Sequence, residues 1–262
     1  MNKEFSYRAV PGSRIATFDT FAIGLKKHHV AALLEFDVTY SRKMLQVSRR
    51  DGVNISFNGW LIKVIGTVLK DHPEAASYLC GKRRIMVFKD INISILVEKM
   101  INGERVPIPV VIEKANEKTA QEITAEIENA KKQELSGGDV VINRRSRVSE
   151  RLYYHLPGFA RRFAWKMMLG NPRFAFRQMG NAVVTSVGMM GKVNGWFIHR
   201  SVHPVSFGIG SVIKKPVVVD NEIKIREMLN MTILVDHDLV DGAPMVRLLK
   251  DLTSSIEKGV NI

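Results

Sequence analysis

Apolar and polar positions alternate along this chain in two periods, and elements of both kinds intermix from end to end. Val30, Leu33, Leu34, Phe36 and Val38 predict a long strand over His29–Thr39, followed by a basic helix over Tyr40–Arg50 that stops at Asp51-Gly52. Ser56 is placed to cap a strongly apolar helix, Phe57 to Lys70, whose inner stripe is Trp60, Leu61, Val64, Ile65, Val68 and Leu69. His72-Pro73 ends that helix. Ile91–Val97 and Val106–Ile112 read as strands joined through Asn102-Gly103. Thr119–Lys132 reads as an amphipathic helix closed by Ser136-Gly137-Gly138. Ala182 to Gly188 is a strand running into a glycine-punctuated loop. Val205–Ile209, Pro216–Val219, a turn at Asp220-Asn221 and Glu222–Ile225 extend the β-rich part. Met231–Val235 is a buried strand, and Ala243–Leu252 carries Met245, Leu248, Leu249 and Leu252 at helical spacing. Residues 1–27 offer a short polar lead and then the stretch Arg14 to Phe21, without a defined element. The pattern describes one α/β domain over residues 1–262, with no repeat or low-complexity linker.

Composition narrows the class. The chain has 262 residues, 45% of them hydrophobic, which suffices for a sizeable core. No run approaches the roughly eighteen apolar residues that span a bilayer, and the N-terminus lacks a signal-peptide core. The one cysteine, Cys80, excludes an internal disulfide, and the seven histidines show no zinc-ligand spacing. A cytoplasmic, metal-free protein is expected.

Net charge is +13, which calls for acidic partners. Between Arg144 and Arg177 stand nine Lys or Arg (144, 145, 147, 151, 161, 162, 166, 173, 177) against Glu150 alone. Seven aromatics share this segment: Tyr153, Tyr154, Phe159, Phe163, Trp165, Phe174 and Phe176. It reads as an amphipathic helical hairpin with solvated arginines, as an interfacial helix on anionic lipid making the protein peripheral to a membrane, or as a dock for an acidic carrier protein or for coenzyme A phosphates. Single-stranded nucleic acid would suit the composition, but no recognised motif supports it.

The stretch Asp236-His237-Asp238-Leu239-Val240-Asp241-Gly242 joins the Met231–Val235 strand to the last helix. His237 is either a half-buried turn histidine with Asp241 as N-cap, or a general base held in a cleft with Asp241 fixing the loop. The local residues leave both open.

The His-x-x-x-Asp-Gly pattern of His237 to Gly242 resembles the signature of the 2-oxoacid dehydrogenase acyltransferase (dihydrolipoyl acyltransferase) catalytic domain, shared with chloramphenicol acetyltransferase. His29–Thr39, Phe57 to Glu74, Asp90 to Ser94, Val106–Ile112, Val184 to Gly191 and Lys215 to Val219 are similar to other stretches of that family in the same order. The resemblance implies a chloramphenicol acetyltransferase-like two-layer sandwich with a mixed sheet, assembled as a homotrimer with sites between subunits. It implies a coenzyme A-dependent acyltransferase moving an acyl group between a thioester and a thiol or hydroxyl acceptor. His237 would be the general base, and Thr185 or Ser186, with the alignment favouring Thr185, would donate to the oxyanion. Asp241 would hold the turn through an ion pair with Arg14. A lipoyl domain or an acidic carrier protein would present the acceptor.

Four departures qualify this. The chain begins almost directly at the catalytic domain without a lipoyl-lysine motif, so no covalently bound lipoyl group is expected. Asp238 stands where the family usually has arginine, and the apolar C-terminal tail that joins trimers is missing. The basic segment at about 144–177 stands as an insertion. Together they favour a stand-alone acyltransferase. The competing reading is a non-catalytic trimeric scaffold that binds membrane or an acidic partner through the insertion. Acyl chain and acceptor stay unassigned.

Overall fold

The computed structural model describes residues 5–7, 10, 12–81, 83–101, 104–133, 156–186, 191 and 193–262. Helix α1 (Gly12–Gly24) leads to strand β1 (His29–Asp37), α2 (Thr39–Arg50) and α3 (Phe57–Asp71). A 3-10 turn (Pro73–Ala76) then precedes a two-stranded ribbon, β2 (Tyr78–Cys80) and β3 (Arg84–Met86). β4 (Ile93–Ile101), β5 (Glu104–Ile112) and α4 (Ala120–Lys132) complete the first half. The second half holds α5 (Gly158–Gly170), α6 (Pro172–Met179), β6 (Ala182–Ser186), β7 (Val205–Val219), β8 (Glu222–Asp236) and α7 (Gly242–Glu257).

Six strands form one mixed sheet in the order β1-β8-β7-β6-β4-β5. β6 lies parallel to both β4 and β7, and the other pairs are antiparallel. The core lies between one face of this sheet and α3, α4 and α7. Ile93, Ile95, Val184, Phe207, Met231 and Ile233 face Trp60, Ile65, Ile123 and Leu248 across it. This is the expected two-layer α/β sandwich with a mixed sheet.

Local chemistry explains the helix ends. Ser56 Oγ accepts the Gly59 N–H at 3.0 Å, the cap expected from sequence. Thr119 and Glu122 form a reciprocal capping box at the start of α4. Glycine at 59 has a packing reason, because a Cβ there would lie 2.2 Å from Thr124 Oγ1 on α4.

The largest difference from expectation is the hairpin β7–β8. Four short strands were expected, but two continuous strands of 15 residues each are found. The turn is at Asp220-Asn221 as predicted, with φ of 54° and 61° at the two residues, the left-handed pair that suits a tight hairpin. The apparent interruptions are physical features of the strands. Between Ile209 and Val212, two residues of β7, Gly210 and Ser211, oppose the single Asn230 of β8, a β-bulge. Two of the charged positions face carboxylates of β1 across the sheet: Lys215 Nζ lies 2.5 Å from Glu35 Oε1, and Arg226 Nε lies 3.5 Å from Asp37 Oδ2. Pro216 is tolerated because β6 pairs with β7 only over Val205–Ile209.

Helix α1 and the β2–β3 ribbon lie in stretches for which the pattern predicted no element. Asn102-Gly103 and Ser136-Gly137-Gly138 lie outside the described residues, as do residues 144–155 of the basic segment. Among the described residues no helix is long and apolar enough to cross a membrane.

Candidate functional site

His237 follows the last residue of β8 and begins a turn that delivers the chain to α7. Its N–H donates to the His28 carbonyl at 2.9 Å, tying the turn to the segment that enters β1. The carbonyl of Asp236 accepts from Leu239 at 3.0 Å and Val240 at 3.2 Å. Leu239 and Val240 point into the core, so the turn is anchored from below while the His237 side chain stays 48% exposed.

A buried ion pair sits beneath the histidine. Asp236 is 0% exposed, and its Oδ2 accepts from Lys27 Nζ at 2.7 Å. The Asp238 N–H donates to Asp236 Oδ1 at 3.3 Å. Asp238, at the position where the family usually has arginine, accepts from His28 Nδ1 at 2.9 Å. That hydrogen bond and the charge of Asp238 raise the His28 pKa above the ordinary histidine value. None of Lys27, His28, Asp236 or Asp238 was assigned a role by sequence. The signal was weak: His28-His29 is a pair of adjacent histidines, and the partner of His28 lies 210 positions along the chain.

The arrangement around Asp241 differs from expectation. No ion pair joins Arg14 to Asp241 among the described residues. Asp241 occupies the N-cap position of α7 without a side-chain cap hydrogen bond, and its carboxylate is 90% exposed. Its Oδ1 lies 3.9 Å from His237 Nδ1. The aspartate therefore faces the histidine, and the pair that fixes the turn is Lys27–Asp236. On α1, Asp19 accepts from Arg161 Nε at 2.6 Å.

Thr185 and Ser186 end β6, and strand alternation sends them to opposite faces. Ser186 shares the helix-covered face with Ala182 and Val184, and its buried hydroxyl has no hydrogen-bond partner among the described residues. Thr185 points to the second face, level with Gly208 of β7 and Thr232 of β8. Most of the loop that follows, 187–190 and 192, lies outside the described residues.

A strap formed by residues 193–204 covers this second face. Trp196 Nε1 donates to the Leu34 carbonyl at 3.0 Å, and the His199 Nε2 meets Ser206 Oγ. The His199 ring lies over Gly208, where a Cβ would come within 2.7 Å of Nδ1. Burial lowers its pKa. His203 is also pushed down, to about 4, by burial, while its Nε2 donates to the Met179 carbonyl at 2.9 Å.

His237 and Thr185 do not meet within one chain. Thr185 is level with Thr232, two strands away, and His237 lies five residues beyond Thr232. With strands about 4.8 Å apart and a rise of about 3.3 Å per residue, the two side chains are separated by roughly 19 Å. The open depression lined by Lys250, Thr253, Ser254, Glu257 and Lys258 contains neither residue. Among the described residues no group of three or more His, Cys, Asp or Glu could hold a metal ion.

Comparison with known proteins bears on this arrangement. The family model described as 2-oxoacid dehydrogenases acyltransferase (catalytic domain) matches residues 21–138 and 176–262. The lipoamide acyltransferase component of the branched-chain alpha-keto acid dehydrogenase complex of Bacillus subtilis (strain 168) is 26% identical over 247 residues, 89% of this chain and 48% of that protein. The dihydrolipoyllysine-residue succinyltransferase component of the 2-oxoglutarate dehydrogenase complex of Buchnera aphidicola subsp. Acyrthosiphon pisum is 24% identical over 80% of this chain and 41% of that protein. The chain thus spans about half the length of the curated relatives it matches.

Solved structures share the fold. A probable dihydrolipoamide acetyltransferase from Listeria monocytogenes superposes with a TM-score of 0.69 at 22% identity, covering 98% of this chain and 96% of that one. The cubic core of a pyruvate dehydrogenase multienzyme complex gives 0.67 at 17% identity, over 98% and 93%. Azotobacter vinelandii dihydrolipoamide acetyltransferase gives 0.66 at 18% identity, over 96% and 92%.

Proposed function

Since the chain belongs to the 2-oxoacid dehydrogenase acyltransferase catalytic-domain family, we propose that it transfers an acyl group between a thioester and a thiol, with coenzyme A as one of the two thiol carriers. The observation that carries this reading is the His237 turn: a half-exposed imidazole held by a backbone hydrogen bond, two buried side chains and a buried ion pair. A base positioned so firmly loses little entropy when it meets its substrate.

In the proposed reaction the unprotonated imidazole of His237 takes the proton from the attacking thiol. The thiolate adds to the thioester carbonyl carbon, and the carbonyl π electrons move to oxygen. That oxyanion accepts a hydrogen bond from the Thr185 hydroxyl. When the carbon–oxygen double bond reforms, the original carbon–sulfur bond breaks, and the departing thiolate recovers the proton from His237. Asp241, with Oδ1 3.9 Å from His237 Nδ1, stands on the side of the ring away from the nitrogen that would take the proton. Thr185 is preferred over Ser186 because the serine hydroxyl is buried on the helix-covered face.

The separation of His237 and Thr185 supports a site completed by a second copy, the histidine from one subunit and the hydroxyl from its neighbour. A homotrimer supplies this arrangement three times. In the Azotobacter vinelandii relative, a serine, a histidine and an asparagine four positions after the histidine were investigated for their role in the catalytic mechanism. His237 and Asp241 have the same separation. The acceptor would be free coenzyme A, a dihydrolipoyl group or the phosphopantetheine of an acidic carrier protein.

Mass spectrometry tests the proposal. Wild type and His237→Ala are each incubated with a panel of acyl-coenzyme A thioesters and dihydrolipoamide, a pantetheine-loaded carrier or chloramphenicol. Wild type should transfer to at least one acceptor, and the variant should be slower by about a thousandfold while remaining folded. Equal rates would remove His237 from the mechanism. Absence of transfer from every donor by the intact oligomer would favour the non-catalytic scaffold.

A further inference from the structure

Helix α5 turns its apolar side outward. Phe159, Phe163 and Met167 recur every four residues and are 71%, 61% and 63% exposed. At about 100° per residue they occupy one narrow strip of the helix surface. Arg162 and Lys166 project from the adjoining strip and are also exposed. No residue of α5 is fully buried. In a helix that only packs on its own domain, the large apolar side chains line the inner face. Three of them aligned in solvent beside two cations form a patch that fits a partner.

The patch is held in place. On the inner side, Arg161 Nε donates to the buried Asp19 of α1 at 2.6 Å, and Arg161 Nη1 donates to the Leu156 carbonyl at 2.6 Å. Helix α6 continues from α5 after Asn171, whose side chain caps it. Phe176 stacks on Phe88 at 4.1 Å, and the Tyr78 hydroxyl donates to the Gly180 carbonyl at 2.6 Å. Helix α6 also exposes Arg173, Phe174 and Arg177. The stretch 158–179 contains five basic residues and no acid. All of α5 lies in the part of the chain, 139–175, that the family match passes over.

We propose that the outward face of α5, continued by Arg173 and Phe174, docks the protein on an anionic membrane surface. Phe159, Phe163 and Met167 enter the boundary between headgroups and acyl chains, and Arg162 and Lys166 pair with lipid phosphates. A soluble phosphate ligand would satisfy the cations but leave the three apolar side chains in water. An anionic bilayer satisfies both along a single helix face. This inference is independent of the acyl-transfer chemistry.

The test uses the full chain and sedimentation with unilamellar vesicles, either phosphatidylcholine alone or phosphatidylcholine with phosphatidylglycerol. Binding should require phosphatidylglycerol and weaken as salt is raised. Arg162→Gln with Lys166→Gln should lower the partition coefficient by about 25-fold, taking roughly fivefold for each cation near the surface. Phe159→Ser with Phe163→Ser should abolish binding even at low salt. Both double variants should keep the wild-type thermal midpoint and gel-filtration volume, because the four side chains face outward. Failure of wild type to bind the anionic vesicles overturns the proposal, and capture by an acidic carrier protein in their place points to that partner. Equal binding to neutral vesicles, or wild-type binding by either folded variant, overturns it as well.

Discussion

A carboxylate as deeply buried as Asp236 gives up its hydration, and Lys27 offsets that loss from 2.7 Å. Removing one member of such a pair leaves an uncompensated buried charge, which typically costs about 3–5 kcal/mol. Lys27 retains 22% exposure, so water screens part of the interaction and the expected cost of Lys27→Met is near the lower end, about 3 kcal/mol. Denaturant unfolding of Lys27→Met measures it, and Lys27→Met with Asp236→Asn should recover much of the loss by removing the orphaned charge. A loss below about 1 kcal/mol would mean that the pair does not hold the turn. A second consequence concerns His203, whose pKa burial lowers from 6.5 to about 4. Between those values the unfolded chain binds a proton that the folded chain refuses, so stability falls as pH drops through that window and levels off below it. The full loss is roughly 3 kcal/mol. His203→Gln, which keeps a donor near the Met179 carbonyl, should flatten the slope of unfolding free energy between pH 6.5 and 4. An unchanged slope would assign the acid sensitivity to other groups.

At the scale of elements, the sequence exposed those features whose cause is local. The Ser56 cap and the Asp220-Asn221 turn depend on residues a few positions apart, and both were read from the sequence; the Thr119–Glu122 box is equally local but was not singled out. The long hairpin was only half legible, because Lys214, Lys215 and Arg226 break the apolar run. Lys214 is exposed, and Lys215 and Arg226 find their partners in Glu35 and Asp37 of β1, more than 170 positions earlier. The same distance explains the candidate site. His237, Asp241 and Thr185 could be named from a compact motif and a family resemblance. The Lys27–Asp236 pair and the His28–Asp238 contact arise only when β1 is laid antiparallel to β8, which brings His29 opposite Asp236. Among the described residues, the expected Arg14–Asp241 pair is not made within the single chain. A pairing inferred from resemblance presumed the placement of α1, whose described ion pair is with the basic segment through Asp19 and Arg161.

At the scale of the molecule, the sheet separates the proposed base from the proposed oxyanion donor. β6 and β8 are not adjacent, since β7 lies between them, and His237 leaves β8 well beyond the level of Thr185. No side-chain rotation closes a gap of roughly 19 Å. A working site of these two groups therefore requires two copies, and this has a consequence that a self-contained site lacks. His237→Ala and Thr185→Ala homo-oligomers should each be nearly inactive, one lacking the base and the other the hydroxyl. Co-expressed and randomly mixed, they should recover about a quarter of the wild-type sites, because at that share of interfaces an intact histidine meets an intact threonine across the symmetry-related contact. Tagging the two chains differently and purifying through both tags enriches the mixed assemblies, and acyl transfer to the soluble acceptor is then compared with each parent. Recovery well above both parents would require the two residues to act from different subunits. Activity that never exceeds that of the better parent in verified mixed oligomers would mean that each chain builds its site alone, and would remove Thr185 as the partner of His237.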